Sequence, residues 1–309
     1  GQSLGTTLTT GSGLFLLTVP AEDRYLYRVA AIGYTPKPLT AIEVGPDGLV
    51  LGDIALVHAV MRLPDLLAVG RNQYCGKKSM SDDIFGRLLE SAHTALDIID
   101  RTIESHRLSF VVEAVHSKMI YGSAYNQQIA DTVYESLSQW PVESIDMDTL
   151  QAVGFARLVY RDGARIREYY GPDPRVLFSD WFLDSHCFSL GKVKKGSDTL
   201  HVLFVPQRTT KLVDISGDLL LDAHDLSLLS LTYQHTNLPK YMPKNAAGGN
   251  MQFEHLSSGL WITMSWAIWG PIDAINYYNG KTQVGGMSER RGLVLKAVPT
   301  DTAKKPTAH

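Results

Sequence analysis

The sequence predicts a mainly β fold with one long helix. Short runs of β-type residues, separated by Gly, Pro and Asp, occupy most of the chain, which is typical of antiparallel sheets. Apolar residues recur with a helical period in one long stretch only. Because 309 residues exceed one small core, we expect two domains, at 1–70 and 71–298, and a polar tail at 299–309.

The first 70 residues contain three β-type runs without a long helical pattern, as in a small antiparallel sandwich. A turn at Gly13 precedes Phe15, which we expect to point inward. The stretch resembles the later part of a carboxypeptidase regulatory-like domain, a transthyretin-type β-sandwich. The residues that carry this resemblance are Thr9, Thr10, Gly13, Phe15, Leu17, Pro20, Tyr25, Val29, Gly33 and Tyr34.

The resemblance to this sandwich implies structural roles for these residues and no peptidase activity. The first strands usual in that family do not precede Gly1. We therefore expect an N-terminal partial β-sandwich that is either truncated or completed by another chain.

The residue pattern at 81–102 predicts the long helix. Ser81, Asp82 and Asp83 can cap its start, where negative charge is favoured. Its apolar stripe follows the helical period and consists of Ile84, Phe85, Leu88, Leu89, Ala92, Ala95, Leu96 and Ile99.

From about residue 108 to 298 the runs are again strand-like, with two helical interruptions, at 146–154 and within 174–188. A hairpin is predicted with its turn at Asp222 to Asp225, since Asp favours turns. This region resembles periplasmic domains of the lipoprotein-carrier type. The matching positions are Gly217, Leu219, Asp222, Leu226, Leu229, Tyr233, Phe253, Gly259 and Trp261.

The resemblance to lipoprotein carriers implies a C-terminal open antiparallel sheet wrapped on a helix. A carrier of this type needs an open apolar cavity. The sequence leaves it undecided whether such a cavity here would be open or filled.

Composition and motifs exclude several functions. A formal charge of −3 does not favour binding to nucleic acid, and no apolar run approaches the roughly 20 residues of a membrane-spanning helix. The common hydrolase, P-loop and dinucleotide signatures are absent. We therefore expect no enzyme activity, no metal and no cofactor.

One stretch raises a catalytic question, because Asp184, Ser185, His186 and Cys187 are consecutive. Neighbouring side chains on a strand point to opposite faces, so His186 and Cys187 would diverge unless the backbone were bent or helical. The other cysteine of the chain is Cys75. We expect a disulfide between Cys75 and Cys187, which would place the protein in an oxidising compartment. Two buried thiols, or a catalytic or metal-binding role, are the alternatives.

The order of parts resembles uncharacterised envelope proteins of gemmatimonad bacteria and extrinsic periplasmic subunits of their photosynthetic reaction centre and light-harvesting complexes. The specific pieces are Val69, Arg71, Cys75 and Gly76, and the stretch 182–188. The resemblance implies a non-catalytic scaffold in the periplasm, peripheral to a membrane, whose partners are the subunits of a membrane protein complex. A carrier of a hydrophobic ligand, such as a lipid or lipoprotein, is the alternative.

Four residues are interface candidates: Trp261, Trp269, Tyr241 and Met242. The two tryptophans lie on a strand with one apolar and one mixed face, and aromatic residues are favoured at interfaces. Tyr241 and Met242 lie in a Pro-containing loop. We expect this loop, at about 235–250, and the tail after residue 298 to become ordered only in an assembly, because neither has a regular apolar period.

Overall fold

The structure is a computed structural model that describes most of the second region and parts of the first. The described ranges are 7, 13–20, 23–29, 34–35, 37, 40–58, 108–121, 126–137, 140–142, 144–161, 164–191, 197–207, 211–255, 261–276 and 278–299. The predicted helix at 81–102, the domain boundary at residue 70 and Cys75 lie outside these ranges.

The N-terminal region forms two short antiparallel ladders. Strand β1 (Asp23–Tyr27) pairs with β3 (Thr40–Val44), and β2 (Tyr34–Thr35) pairs with β4 (Val57–His58). Gly13 has a φ of +83°, which agrees with the predicted turn. Phe15, expected to point inward, is 38% exposed, and none of the described residues before residue 59 is fully buried.

A nine-stranded antiparallel sheet, the main sheet, dominates the second region and confirms the mainly β prediction. Its spatial order is β6, β5, β15, β14, β13, β12, β11, β10, β9. The strands are β5 (Leu108–Tyr121), β6 (Asn126–Leu137), β9 (His186–Leu190), β10 (Thr199–Pro206), β11 (Asp214–Asp222), β12 (Leu228–Thr236), β13 (Gly248–His255), β14 (Trp261–Ile275) and β15 (Thr282–Pro299). A separate hairpin, β7 (Ala156–Arg161) and β8 (Ala164–Tyr169), packs against β14.

Three short helices cover one face of the main sheet, which we call the inner face. They are α1 (Met147–Val153), α2 (Pro174–Leu177) and α3 (Asp180–Ser185). Each begins after a side chain that accepts a hydrogen bond from the first turn. These capping residues are Asp146, Asp173 and Ser179.

The helices close a large core over strands β9 to β13, which together we call the packed half, and this core continues onto the near ends of β5, β14 and β15. Leu150, Leu177 and Phe182 of the helices pack against the alternating inward residues of the strands, such as Phe204 and Leu231. Burial in β10 and β12 has the period of two expected of a sheet with one covered face.

The four strands on the other side of the sheet are longer, at 12 to 18 residues against 5 to 9 in the packed half. They run past the large core. We call the parts beyond it the extension: 114–121, 126–133, 266–275 and 282–292.

The structure describes the loop that was expected to order only in an assembly, but little of the tail. Of the tail after residue 298, only Pro299 lies in the described ranges, as the last residue of β15, where it pairs with Leu108 of β5. The loop between β12 and β13 folds onto its own chain, with Met242 and Ala247 buried. The loop thus makes contacts within its own chain, and its ordering by an assembly stays a prediction.

The predicted hairpin turn between β11 and β12 is confirmed. The Asp222 carboxylate accepts a hydrogen bond from the His224 backbone N–H at 2.7 Å, and the Asp225 carboxylate accepts one from Ser227 at 2.8 Å. These contacts give both aspartates a turn-forming role. None of the described ranges contains three acidic, His or Cys side chains grouped as a metal site would require.

Candidate functional site

The inner face continues from the large core into the extension. Phe110 and Val112 of β5 are buried in that core, and side chains on a strand alternate between faces. Ala114, His116 and Lys118 therefore lie on the same face beyond them. On β15 the same alternation runs from the buried Val294.

Antiparallel pairing aligns the inner-face residues of the four strands in rows, since paired residues point to the same side. The rows, read from β6 towards β14, are Val133, Ala114, Gly292 and Trp266; Asp131, His116, Arg290 and Ile268; Ile129, Lys118, Ser288 and Gly270; and Ile120, Gly286 and Ile272 on the last three strands. Apolar rows thus enclose a polar centre.

The polar centre is basic and open to solvent. His116, Lys118 and Arg290 are all exposed, and Asp131 at the edge strand is the single acidic residue in these rows. No hydrogen bond or ion pair joins the side chains of His116, Lys118 or Asp131 to another described residue. All three side chains are exposed.

Apolar side chains beside this centre are also incompletely covered. On β6, Ile129 is 49% exposed and Val133 is 45% exposed. Trp266 is half-buried and lies across Gly292, where a Cβ atom would collide with the indole ring. Glycine thus lets the aromatic ring lie flat against the strand, and the ring forms part of the floor of the extension.

Arg290 is held in position from the side of hairpin β7–β8. Its Nη2 donates a hydrogen bond of 2.6 Å to the backbone carbonyl of Tyr169, whose ring covers Gly270. The Tyr169 hydroxyl in turn donates to the carbonyl of Pro271 at 3.2 Å, and burial raises the pKa of this phenol. A guanidinium has five N–H donors, so the Tyr169 contact leaves others for a ligand.

A second polar cluster, close to the first, is internally neutralised. Arg167 of β8 lies 3.3 Å from the Asp273 carboxylate of β14, and both side chains are more than nine-tenths buried. The Tyr241 hydroxyl donates to the other oxygen of Asp273 at 2.9 Å. Burial is the main cause that raises the pKa of Tyr241. This cluster joins hairpin β7–β8, strand β14 and the loop after β12, which is a structural role.

The four interface candidates lie in different environments. Trp261 is 3% exposed, stacks on Phe253 at 4.8 Å between ring centroids and donates to the Leu228 carbonyl. Met242 is also buried, whereas Trp269 is half-buried and Tyr241 is 37% exposed. Only Tyr241 and Trp269 therefore present appreciable surface, and their role at an interface stays a prediction.

His186 and Cys187 diverge, as strand geometry predicts. The His186 ring is buried and stacks on Phe182 at 3.8 Å. Its Nδ1 lies 3.0 Å from the Ser185 hydroxyl, and its Nε2 lies 3.2 Å from the Asp214 carboxylate. These are the residue types of a hydrolytic triad, but the imidazole is enclosed by core aromatics. Its contacts instead fix the end of α3 against β11.

Cys187 is buried on the opposite face of β9, where it pairs with Val205. The described residues include no free cysteine. Because Cys75 lies outside them, the bond between Cys75 and Cys187 stays a prediction.

The sequence alone does not identify the basic residues of the polar centre as one site. His116, Lys118 and Arg290 lie on two strands about 170 positions apart, and only strand pairing brings them together. The one available signal was the alternation of side chains that continues from Val112 along β5.

None of the helices in the described ranges has the length and apolar character that a membrane span needs.

Comparisons with known proteins do not identify a family for this chain. No family model and no curated protein matches the chain. Among solved structures, a DUF1329 family protein from Desulfovibrio piger is 11% identical and covers 70% of this chain and 95% of its own, with a TM-score of 0.26. A TM-score this low carries no argument about function, and none of these comparisons supports the resemblance to gemmatimonad proteins or to a reaction centre.

Proposed function

We propose that this chain is a non-catalytic binding protein that holds a hydrophobic ligand, such as a lipid, against the inner face of the extension. The observation that carries the proposal is the incomplete burial of Val133 and Ile129 on the same face that packs the large core. Exposed apolar side chains grouped on one face favour a binding surface there, because their contact with water is unfavourable.

The location of the ligand follows from the two ends of the sheet. The inner face of the packed half is filled by α1 to α3 and by aromatic rings such as Phe182 and Phe204. A ligand there would have to displace the core. The extension offers apolar rows, with Trp266 as an aromatic floor, and requires no such displacement.

The sequence reasoning ranked a scaffold of a membrane complex first, and one observation favours it as the second candidate. The outer face of the sheet, at the extension and directly beside it, also exposes apolar side chains: Tyr134 is 66% exposed, and Leu293 and Met119 are partly exposed. A ligand on the inner face leaves these residues uncovered, whereas a protein partner on the outer face would bury them. Export to the periplasm, which both candidates assume, is part of the proposal.

A matched pair of variants separates the two candidates. Val133→Glu places a charge on the inner face, and Tyr134→Glu places one on the outer face at the next position of the same strand. We expect Val133→Glu to weaken binding of the neutral fluorescent probe N-phenyl-1-naphthylamine by about tenfold or more, because the carboxylate would lose water on binding. Tyr134→Glu should leave binding of the probe unchanged.

Native mass spectrometry of the purified wild-type chain is the companion measurement. Copurified lipid that Val133→Glu releases and Tyr134→Glu retains would support the binding protein. Absence of probe binding in the wild type, together with loss of a membrane-protein partner in Tyr134→Glu, would replace it with the scaffold.

A further inference from the structure

We propose that the ligand of the extension is a long-chain fatty acid, and that Arg290, Lys118 and His116 bind its carboxylate. This inference rests on the proposed function, since it names the class of ligand for the same surface. The carrying observation is a group of exposed basic side chains enclosed by apolar rows on one face of the main sheet.

The geometry of pairing places the three basic groups within reach of one headgroup. His116 and Arg290 are directly paired on neighbouring strands, and Lys118 is two positions along β5 from His116. Directly opposite residues have Cβ atoms about 5 Å apart, and diagonal neighbours are about 7 Å apart. Long side chains such as Lys and Arg span these separations easily.

The charge of the centre argues for an anionic ligand rather than a plain hydrocarbon. A neutral chain laid across the four strands would cover Lys118 and Arg290 without pairing their charges, which is unfavourable. Lys118 and Arg290 carry two positive charges and Asp131 carries one negative charge, so these three residues leave one net positive charge. A fatty acid carries a single negative charge at neutral pH and matches it.

Arg290 is suited to recognise a carboxylate. Its head is already fixed by the 2.6 Å hydrogen bond to the Tyr169 carbonyl, so little side-chain entropy is lost on binding. The planar guanidinium can donate two parallel hydrogen bonds to a carboxylate.

The apolar rows on either side can receive the alkyl chain. Trp266 and Val133 lie in the row on one side of the basic centre, and Ile272 and Ile120 lie in the row on the other. The rows are short and partly exposed, so the aliphatic chain would bury surface that now contacts water.

Oleate and oleyl alcohol test the inference, because they share the same chain and differ in charge. Both are titrated into the full-length protein below their aggregation concentrations. We expect oleate to bind about tenfold more tightly, the size typical of a hydrogen bond to a charged group. Lys118→Gln should remove this preference by weakening the binding of oleate, and it should not weaken the binding of oleyl alcohol, because the buried charge that disfavours a neutral chain is gone. Arg290→Gln should act in the same direction.

Arg291→Gln is the matched control, since Arg291 is exposed, is adjacent in sequence and lies on the outer face. It should change neither affinity. Lys118→Gln keeps the test decisive if Arg290→Gln disturbs the contact with Tyr169, because Lys118 is exposed and its side chain makes no such contact with the described residues.

The possible failures can be told apart. Equal affinity of the wild type for oleate and oleyl alcohol would overturn the carboxylate inference and leave the proposed function standing. Binding of neither ligand, and of no neutral probe, would overturn both. Binding of lysophosphatidylglycerol without oleate would show that the headgroup is a phosphate and that the fatty-acid assignment is wrong.

Discussion

The packed half and the extension use one face of one sheet in opposite ways. In the packed half, inward residues such as Phe204 and Leu231 pack against the helices and are buried. In the extension, the same alternation presents His116, Lys118 and Val133 to water. Alternation thus defines the faces of a sheet, whereas the element packed on a face decides whether its side chains are buried in a core or left exposed, where the proposed ligand would bind.

The largest expected effect concerns Cys187, at the edge of the packed half that lies farthest from the extension. If it is bonded to Cys75, the bond closes a loop of about 112 residues and contributes on the order of 4 to 5 kcal/mol to the free energy of unfolding. We expect Cys75→Ser and Cys187→Ala to lower that free energy equally, and the double variant to lower it no further. Urea unfolding measures the effect.

Mass analysis under non-reducing conditions checks the bond directly. Two free thiols would exclude it, and Cys187 would then be a buried apolar residue of the packed half.

Phe182 gives the clearest test of the contrast in packing. It is fully buried and contacts the rings of Phe155, His186, Phe188 and Phe204. Phe182→Ala should lower the free energy of unfolding by about 3 to 5 kcal/mol, because it removes apolar contacts and leaves a cavity.

Ile129→Ala is the control for Phe182→Ala in the extension. Its side chain is about half-exposed, so we expect a change within about 0.5 kcal/mol. Similar losses in the two variants would contradict the distinction between a packed half and an open extension. Both values come from urea unfolding monitored by tryptophan fluorescence.

The pKa of His235 tests whether solvent reaches the interior of the packed half. Burial lowers the pKa of His235 from 6.5 to about 4, and hydrogen bonds to the Tyr170 carbonyl and other backbone groups oppose this only partly. The unfolded chain therefore binds a proton in the range where the folded chain does not. Stability should fall by about 3 kcal/mol as the pH is lowered from about 7 to about 4.

A His235→Gln variant should lose this part of the pH dependence while other titrating groups keep theirs. The measurement is the free energy of unfolding against pH for both proteins. Parallel curves for the two would mean that His235 is accessible to protons in the folded state.

Much of the packed half could be predicted from the sequence, because its strands are short and covered on one face. Strand β10 lies in the region from about residue 108 to 298 that was predicted to be strand-like, and α1 begins after Asp146 and ends before Gly154, within the helical interruption predicted at 146–154. In both cases the local pattern and the final environment agree, so local reasoning was sufficient.

The extension could not be predicted in the same way. Strand β15 contains Gly285, Gly286 and Gly292, and charged residues at 289–291, which together suggest a loop. Gly286 and Gly292 lie where another strand's backbone or an indole ring approaches closely. The face is uncovered, so apolar residues do not alternate cleanly. The proposed binding surface consists of rows across four strands, so its residues form no contiguous motif in the sequence.

The position of β15 also has a consequence for how the molecule folds. This strand, the last that the structure describes, lies between β5, the first strand of the main sheet, and β14. The hairpin of β5 and β6 can join the other strands only through residues about 170 positions later in the chain. Closing so long a loop is slow, since its entropy is lost before the contacts form. We therefore expect the extension to assemble after the packed half, so that a chain in which only the packed half has folded would have a buried aromatic core and would lack the proposed binding surface.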